Sequence, residues 1–377
     1  PSKPTTLIQV APPAPLDQPQ APEARAAAIR ASAEREKQYW IDRGLDLRGF
    51  TILEAAADID DVRKALGYDT LTLWGGSFGS HWGMAVMRFH PEIVERAILR
   101  GMEGPDHTYD MPSYVLHSLE RLAAEADAAP ALSGLIPPGG LLEGFKGVIA
   151  RVAAQPVVVE AKDPATGLPV KVRFGPEDVR DLAEGYTAAA SSRAGMRTWA
   201  ADMIRLVRGD FAAAAEARVR ARAAGRFRTA SYYMLDCGSG ISPARRRQIE
   251  GDPAVEVIGP AGFNYFAACP VWDIDLGDAF RTNFDTQIPT VIVQGDYDIS
   301  TPLENAQELA PHFKRSRFIV VHGGSHPALD DAMDASPEFA RAILGFARSG
   351  DLSGLPATVT LPPVEWVVPS FGAPARP

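Results

Sequence analysis

Between residues 51 and 67 the chain reads TILEAAADIDDVRKALG. Ile52, Ala55, Ala56, Ile59, Val62 and Leu66 recur there at helical spacing, with acids between them and Gly67 as a stop. The apolar run Leu71-Thr72-Leu73-Trp74 then predicts a short strand. Glycines follow, then a helical run over 80–89, Pro91, and a further strand over 97–99. Helix, strand, turn, helix, strand is the grammar of a parallel sheet covered by helices. It lapses between Gly104 and Asp285, where SYVLHSLERLAAEA, AAASSRAGMRTWAADMIRLVR and FAAAAEARVRARAAG predict helices. One hairpin is expected within that interval, PVVVEA and VKVRF around Asp163-Pro164-Ala165-Thr166-Gly167.

The α/β grammar resumes with a strand over 290–293, a helix over 303–310, a strand over 318–321 and a helix over 337–348. Upstream, the Pro- and Ala-rich residues 1–25 predict an extended arm, and EARAAAIRASAEREKQY over 23–39 a surface helix. From Gly354 the chain is Pro-rich with no clear element. The expected organisation is an arm and helix over 1–50, an α/β core over 51–105 and 286–350, a mainly helical insertion over 106–285, and a tail over 351–377. The chain begins with Pro1, which fits a piece of a longer protein.

Composition narrows the function classes. The chain has 377 residues, 46% of them hydrophobic, enough for a sizeable core in one large domain or two ordinary ones. With 38 Lys and Arg against 47 Asp and Glu, the formal net charge of −9 argues against general nucleic-acid binding, whose affinity comes from neutralising phosphates. No apolar stretch is long enough to predict a membrane span. Two cysteines, Cys237 and Cys269, make neither a C-x-x-C motif nor a zinc cluster; buried thiols or one bridge remain open. No metal or organic cofactor is expected, because nothing reads as a ligand cluster or a phosphate cradle.

The chemistry concentrates after three strands. Gly75-Gly76-Ser77-Phe78-Gly79, between a strand and a helix, is a G-x-S-x-G nucleophile elbow: the strained turn lifts the hydroxyl off the sheet, and the Phe78 N–H becomes an oxyanion donor. A serine needs a base, and the base an orienting acid. Gln294-Gly295-Asp296-Tyr297-Asp298 and Val321-His322-Gly323-Gly324-Ser325-His326 leave the ends of two later strands, where open parallel sheets place their sites. The order Ser, Asp, His fits Ser77, Asp298 and His326. Asp298 is favoured over Asp296 because it lies farther into its loop, and His326 over His322 because two glycines precede it. Glu103 or Asp106, after the 97–99 strand, is an alternative acid.

These segments resemble the α/β-hydrolase superfamily, and within it the proline iminopeptidase and tripeptidyl aminopeptidase branch. The resemblance rests on ADIDDVRKALGYDTLTLWGGSFGSHWGMAVMRFHPEIVERAILRG, IPTVIVQGDYDISTPLENAQELAPHF and VVHGGSH. It implies an α/β-hydrolase sheet with a helical cap, an acid at Asp298 and a base at His326. Cys237 in LDCGSG and Cys269 in AACPVWD look like the cysteine pair of the secreted branch. A bridge implies an oxidising compartment, so an exported setting, periplasmic or secreted, is expected. The expected activity is a serine aminopeptidase, with Glu103, Glu184 or Asp236 as partners for a substrate ammonium. An esterase or amidase, or a non-catalytic binding protein, are the alternatives. The family's N-terminal strands and its second oxyanion donor have no counterpart here. The expected sheet is therefore the C-terminal portion, strands 5–8, with a separate N-terminal fragment as the partner that completes it.

Overall fold

The computed structural model describes residues 8–9 and 15–371, apart from 165, 183–190, 225–226 and 229. Nine strands are described: β1 (Ile8–Gln9), β2 (Leu71–Gly76), β3 (Val94–Arg100), β4 (Val157–Lys162), β5 (Pro169–Phe174), β6 (Phe227–Arg228), β7 (Thr290–Gly295), β8 (Ser316–His322) and β9 (Thr358–Thr360). Five form one sheet in the order β2-β3-β7-β8-β9, and every neighbouring pair in it is parallel. Parallel neighbours need crossovers, and helices supply them on both faces. Alternation along the strands divides the core in two. Ala97, Leu99 and Ile292 pack with Ile52, Ala56, Met84 and Met87 of the helices Ile52–Leu66 and Phe78–Phe89. Ile98, Val291, Val293, Ile319 and Val321 pack on the other side with Leu329, Phe339, Ile343 and Phe346.

The signals at the ends of the helix Ile52–Leu66 work as the sequence suggests. The Thr51 hydroxyl accepts from the Glu54 N–H, and Gly67 closes the helix at φ 73°, a conformation that costs glycine little. Between β3 and β7 the described chain is mostly helical, with β4 and β5 paired antiparallel as the expected hairpin. Its own core gathers Phe145, Val172, Phe174, Met196 and Trp199, all buried.

Two outcomes differ from the sequence reading, at the first helix and in the tail. The helix Pro22–Ile41 is not a surface helix: Ala33 and Trp40 pack with Tyr233, Met234, Ala268 and Trp272. Its buried positions are Ser32, Ala33, Glu36 and Trp40, correctly spaced but too small or polar to read as an apolar stripe. The arm is tied down at its end, where the Leu16 carbonyl accepts from the Arg173 N–H at 2.7 Å. The tail also carries an element, since β9 pairs with β8 through Val320↔Thr358 to His322↔Thr360. Three residues between prolines are too short for a periodicity signal. Beyond β9, the Val364 N–H donates to Glu125 and the Val367 N–H to the Arg197 carbonyl.

On its other side β2 has no strand partner among the described residues, and Trp74 there is 46% exposed.

The buried role of the first helix is checked by Trp40→Ala. Loss of a large buried aromatic is expected to cost about 3–5 kcal/mol in denaturant unfolding, whereas Glu34→Ala, on the same helix and exposed, stays within about 0.5 kcal/mol.

Candidate active site

Ser77 sits between the end of β2 and the helix Phe78–Phe89 with φ 57° and ψ −131°. Among the described residues only Asp273 is another non-glycine at positive φ. The turn is tight enough that a Cβ on Gly75 would lie 2.2 Å from the Gly79 carbonyl oxygen, so glycine at 75 is a steric requirement. The Ser77 N–H donates to the Arg100 carbonyl at 3.0 Å, and the Ser80 hydroxyl donates to the Ser77 carbonyl at 2.7 Å. Phe78 opens the helix, so its N–H belongs to the first turn, whose donors have no partner within the helix.

The loop after β7 buries Asp298 completely. Its Oδ1 accepts from the Ser300 and Thr301 N–H groups, both at 2.9 Å. Its Oδ2 accepts from the Thr301 hydroxyl at 2.8 Å and from the Gln294 amide at 2.9 Å. His326 Nδ1 faces this carboxylate at 3.0 and 3.1 Å. Burial alone would push the His326 pKa down, but the charge and hydrogen bond of Asp298 outweigh it and the net shift is upward. Arg100 opposes that rise and Asp110 adds to it.

Ser77 and His326 each adjoin the chain at the end of β3. Ser77 is bonded to Arg100, and the next residue, Gly101 at φ 53°, lies so close under the imidazole that a Cβ there would be 3.1 Å from His326 Cε1. The Ser77 hydroxyl makes no hydrogen bond to His326 among the described residues. Such bonds are often long in a site without substrate.

The alternative groups separate cleanly. Asp296 bonds His322 Nδ1 at 2.9 Å and the Gly323 N–H at 2.8 Å, a second acid–imidazole pair whose histidine is half exposed. Asp106 accepts from the Ser242 N–H at 2.8 Å, at the start of the helix Pro243–Glu250. Glu103 lies beside the site. Its N–H donates to the Ser80 hydroxyl at 2.9 Å, and burial, then the charges of Asp236 and Asp110, raise its pKa well above the usual carboxylate range. Asp236 is buried and accepts from the Tyr265 hydroxyl at 2.7 Å, which is also 2.6 Å from that of Tyr232. Glu184 lies outside the described residues. Cys237 and Cys269 are bonded, joining the helix Ala230–Ser239, which carries Asp236, to the helix Phe263–Trp272, which carries Tyr265.

Four supports escaped the sequence reading. Gln294 and Thr301 hold Asp298, and Ser80 and His81 clamp the segment beside Glu103. His81 is lowered to about 4 by burial and so is neutral; its Nδ1–H donates to the Gly104 carbonyl at 3.0 Å and its Nε2 accepts from the Ser239 hydroxyl at 2.8 Å. Polar residues at apolar strand and helix positions were the available signal. Two cavities of about 250 and 460 Å³ are lined by other residues: one by Arg25, Arg180 and Asp181, the other by Met87, Arg88 and Phe284. Among the described residues no group of three or more His, Cys, Asp or Glu could hold a metal ion, and no helix is long and apolar enough to cross a membrane.

The Asp298–His326 pair has a stability signature. A raised histidine pKa contributes stability in full below the unfolded value of about 6.5 and loses it as pH climbs through the folded value. The stability gap between the wild type and Asp298→Asn is therefore expected to be wider at about pH 5.5 than at about pH 9 in denaturant titrations, on top of a pH-independent loss. An equal gap at both pH values would contradict the pairing.

Residues 255–344, which include β7, Asp298, β8 and His326, match the family model described as TAP-like protein. The proline iminopeptidase of Neisseria gonorrhoeae is 24% identical over 292 residues, covering 75% of this chain and 70% of that protein. The probable proline iminopeptidase of Leptolyngbya boryana is 23% identical over 288 residues, covering 76% of this chain and 68% of that protein. A solved proline iminopeptidase-related protein of Thermus thermophilus aligns over 82% of this chain and 75% of its own at 15% identity, with a TM-score of 0.34. The family match spans the loop of Asp298 and the loop of His326. These matches make the chain similar to the proline iminopeptidase and TAP-like branch of the α/β-hydrolase superfamily.

Proposed function

We propose that the chain is a serine hydrolase of aminopeptidase type, working through Ser77, His326 and Asp298. The observation that carries this reading is the buried Asp298–His326 pair standing at the same strand end as the strained Ser77 turn. Ser77 attacks a substrate carbonyl as His326 Nε2 takes its proton; Asp298 holds Nδ1–H and so fixes the tautomer. The tetrahedral oxyanion draws on the Phe78 N–H and the partial positive charge of the helix start. His326 then protonates the leaving amine, and water, activated by the same imidazole, releases the acyl group.

The helices of residues 106–285 are read as a cap over this chemistry. Glu103 and Asp236 favour an amine substrate. Burial and then the charge of Asp236 raise the Glu103 carboxyl, and an ammonium group between the two carboxyls removes that repulsion. A neutral ester gains nothing from the same wall, which is why the peptidase reading precedes the esterase one. The free edge of β2 leads to a second proposal: a separate N-terminal segment of the same protein pairs there and brings the second oxyanion donor. An uncovered edge with an exposed tryptophan is a surface that proteins ordinarily cover.

A fluorophosphonate probe should label the protein, and Ser77→Ala should abolish labelling; persistent labelling in the variant would remove the nucleophile assignment. Asp298→Asn should reduce turnover by about 10⁴-fold. Aminoacyl arylamides should be cleaved, with kcat/KM rising as pH climbs through the raised His326 pKa; turnover of aryl esters alone would leave only the esterase reading. Intact-mass and N-terminal analysis of native material should reveal a co-purifying segment, and its absence would sink the proposal for the β2 edge.

A further inference from the structure

Gln294 is the next-to-last residue of β7 and is fully buried. The strand residues before it are Thr290, Val291, Ile292 and Val293, all buried as well. An amide in such a place costs free energy unless its polar atoms are bonded. All of them are engaged. The side-chain carbonyl accepts from the Met102 N–H at 2.9 Å, and the NH₂ group donates to the Thr301 carbonyl at 2.6 Å and to Asp298 Oδ2 at 2.9 Å. The orientation of the amide is thereby fixed, because Met102 N–H can only donate and the Thr301 carbonyl can only accept.

The consequence reaches past Asp298. Apart from His326, the other donors to that carboxylate come from residues 300 and 301, inside its own turn, and move with it. Gln294 instead ties it to a rigid strand and, through Met102, to the chain beyond β3. The next residue there is Glu103, whose N–H rests on the Ser80 hydroxyl, and Ser80 in turn donates to the Ser77 carbonyl. One hydrogen-bonded path thus runs from the acid, beneath the site, to the nucleophile turn.

We propose that Gln294 is a positioning residue of the triad: it sets the rotation of the Asp298 carboxylate and ties it to the backbone at 102–103, so that the acid, the Ser77 turn and Glu103 share one support. This rests on the serine-hydrolase reading above for its effect on turnover, but not for the bond itself. With the amide gone, Asp298 keeps its local donors yet is free to swing, and more of its charge falls on His326. The charged groups bearing on His326 besides Asp298 are Arg100 and Asp110, whereas the side-chain amide of Gln294 bonds Met102, Asp298 and Thr301.

The test uses the full chain with Gln294→Met, of similar length and without donors, beside Ile292→Val, a core change on the same strand. Two readouts are followed: the low-field proton resonance of His326 Nδ1–H, and the pH profile of kcat/KM on an arylamide. Gln294→Met is expected to shift the resonance, move the acid limb to higher pH and reduce kcat/KM about 10–100-fold, mostly in kcat. Ile292→Val is expected to leave the resonance and the limb where they were. A Gln294→Met protein that keeps the wild-type resonance and limb overturns the proposal, whatever its loss of stability. Should that variant fail to fold, the smaller Gln294→Ala removes the amide donors without adding a charge beside Asp298. The same upward shift is then expected, and an unmoved resonance refutes the role. The resonance needs no turnover, so a wild type that fails to label with fluorophosphonate removes the hydrolase reading while the resonance still decides the Gln294 link.

Discussion

The site depends on one strained residue. A side chain at φ 57° costs about 1–3 kcal/mol relative to an ordinary turn and persists only where its surroundings leave no alternative. Here three contacts enforce it. The N–H is held by the Arg100 carbonyl, the carbonyl by the Ser80 hydroxyl, and the turn is closed by the approach of Gly79 to Gly75. The last contact explains the glycine at 75. Any Cβ at 75 would collide with backbone rather than with a side chain that can move away.

Two acid–histidine pairs stand on adjacent strand ends, and the environment distinguishes them. Asp296 and His322 meet at the surface, where solvent screens the pair and the imidazole is half exposed. Asp298 is wholly buried and His326 mostly so, which makes their mutual charge strong enough to overcome the desolvation that would otherwise depress the imidazole. Spacing along the chain could rank these pairs only by how far each residue lies into its loop. Burial is the property that separates them, and burial is not written in a loop of glycines and aspartates.

What the sequence made legible was whatever had a period or a fixed local geometry. The helix over 52–66, the four longer strands of the sheet and the elbow all fall in that class. So does the hairpin around 163–167, because turn residues and alternating apolar positions act over a few residues. The misses are interactions between distant segments. Ser32, Ala33 and Glu36 look like surface residues until Trp272 and Ala268 are brought against their helix. Thr358–Thr360 becomes a strand only because β8 offers it a free edge. Gln294 and Ser80 have ordinary local sequence, and their roles come from partners 192 and 23 residues away.

The end of β3 brings these parts together, although it contributes none of the three candidate residues. Its Arg100 carbonyl holds Ser77, Gly101 lies beneath the His326 ring, the Met102 N–H meets Gln294, and Glu103 rests on Ser80. Four consecutive residues thus reach the Ser77 turn, the His326 ring, the support of Asp298 and the Glu103 carboxyl. A parallel sheet makes this possible, because β2, β3 and β7 all end at the same level and their following loops leave on the same side. A change of volume at Gly101 would therefore act on several groups at once. The ring above it and the Thr301 hydroxyl, 3.0 Å from the position of a Cβ, would both have to shift, and the left-handed backbone at 101 would resist the side chain besides.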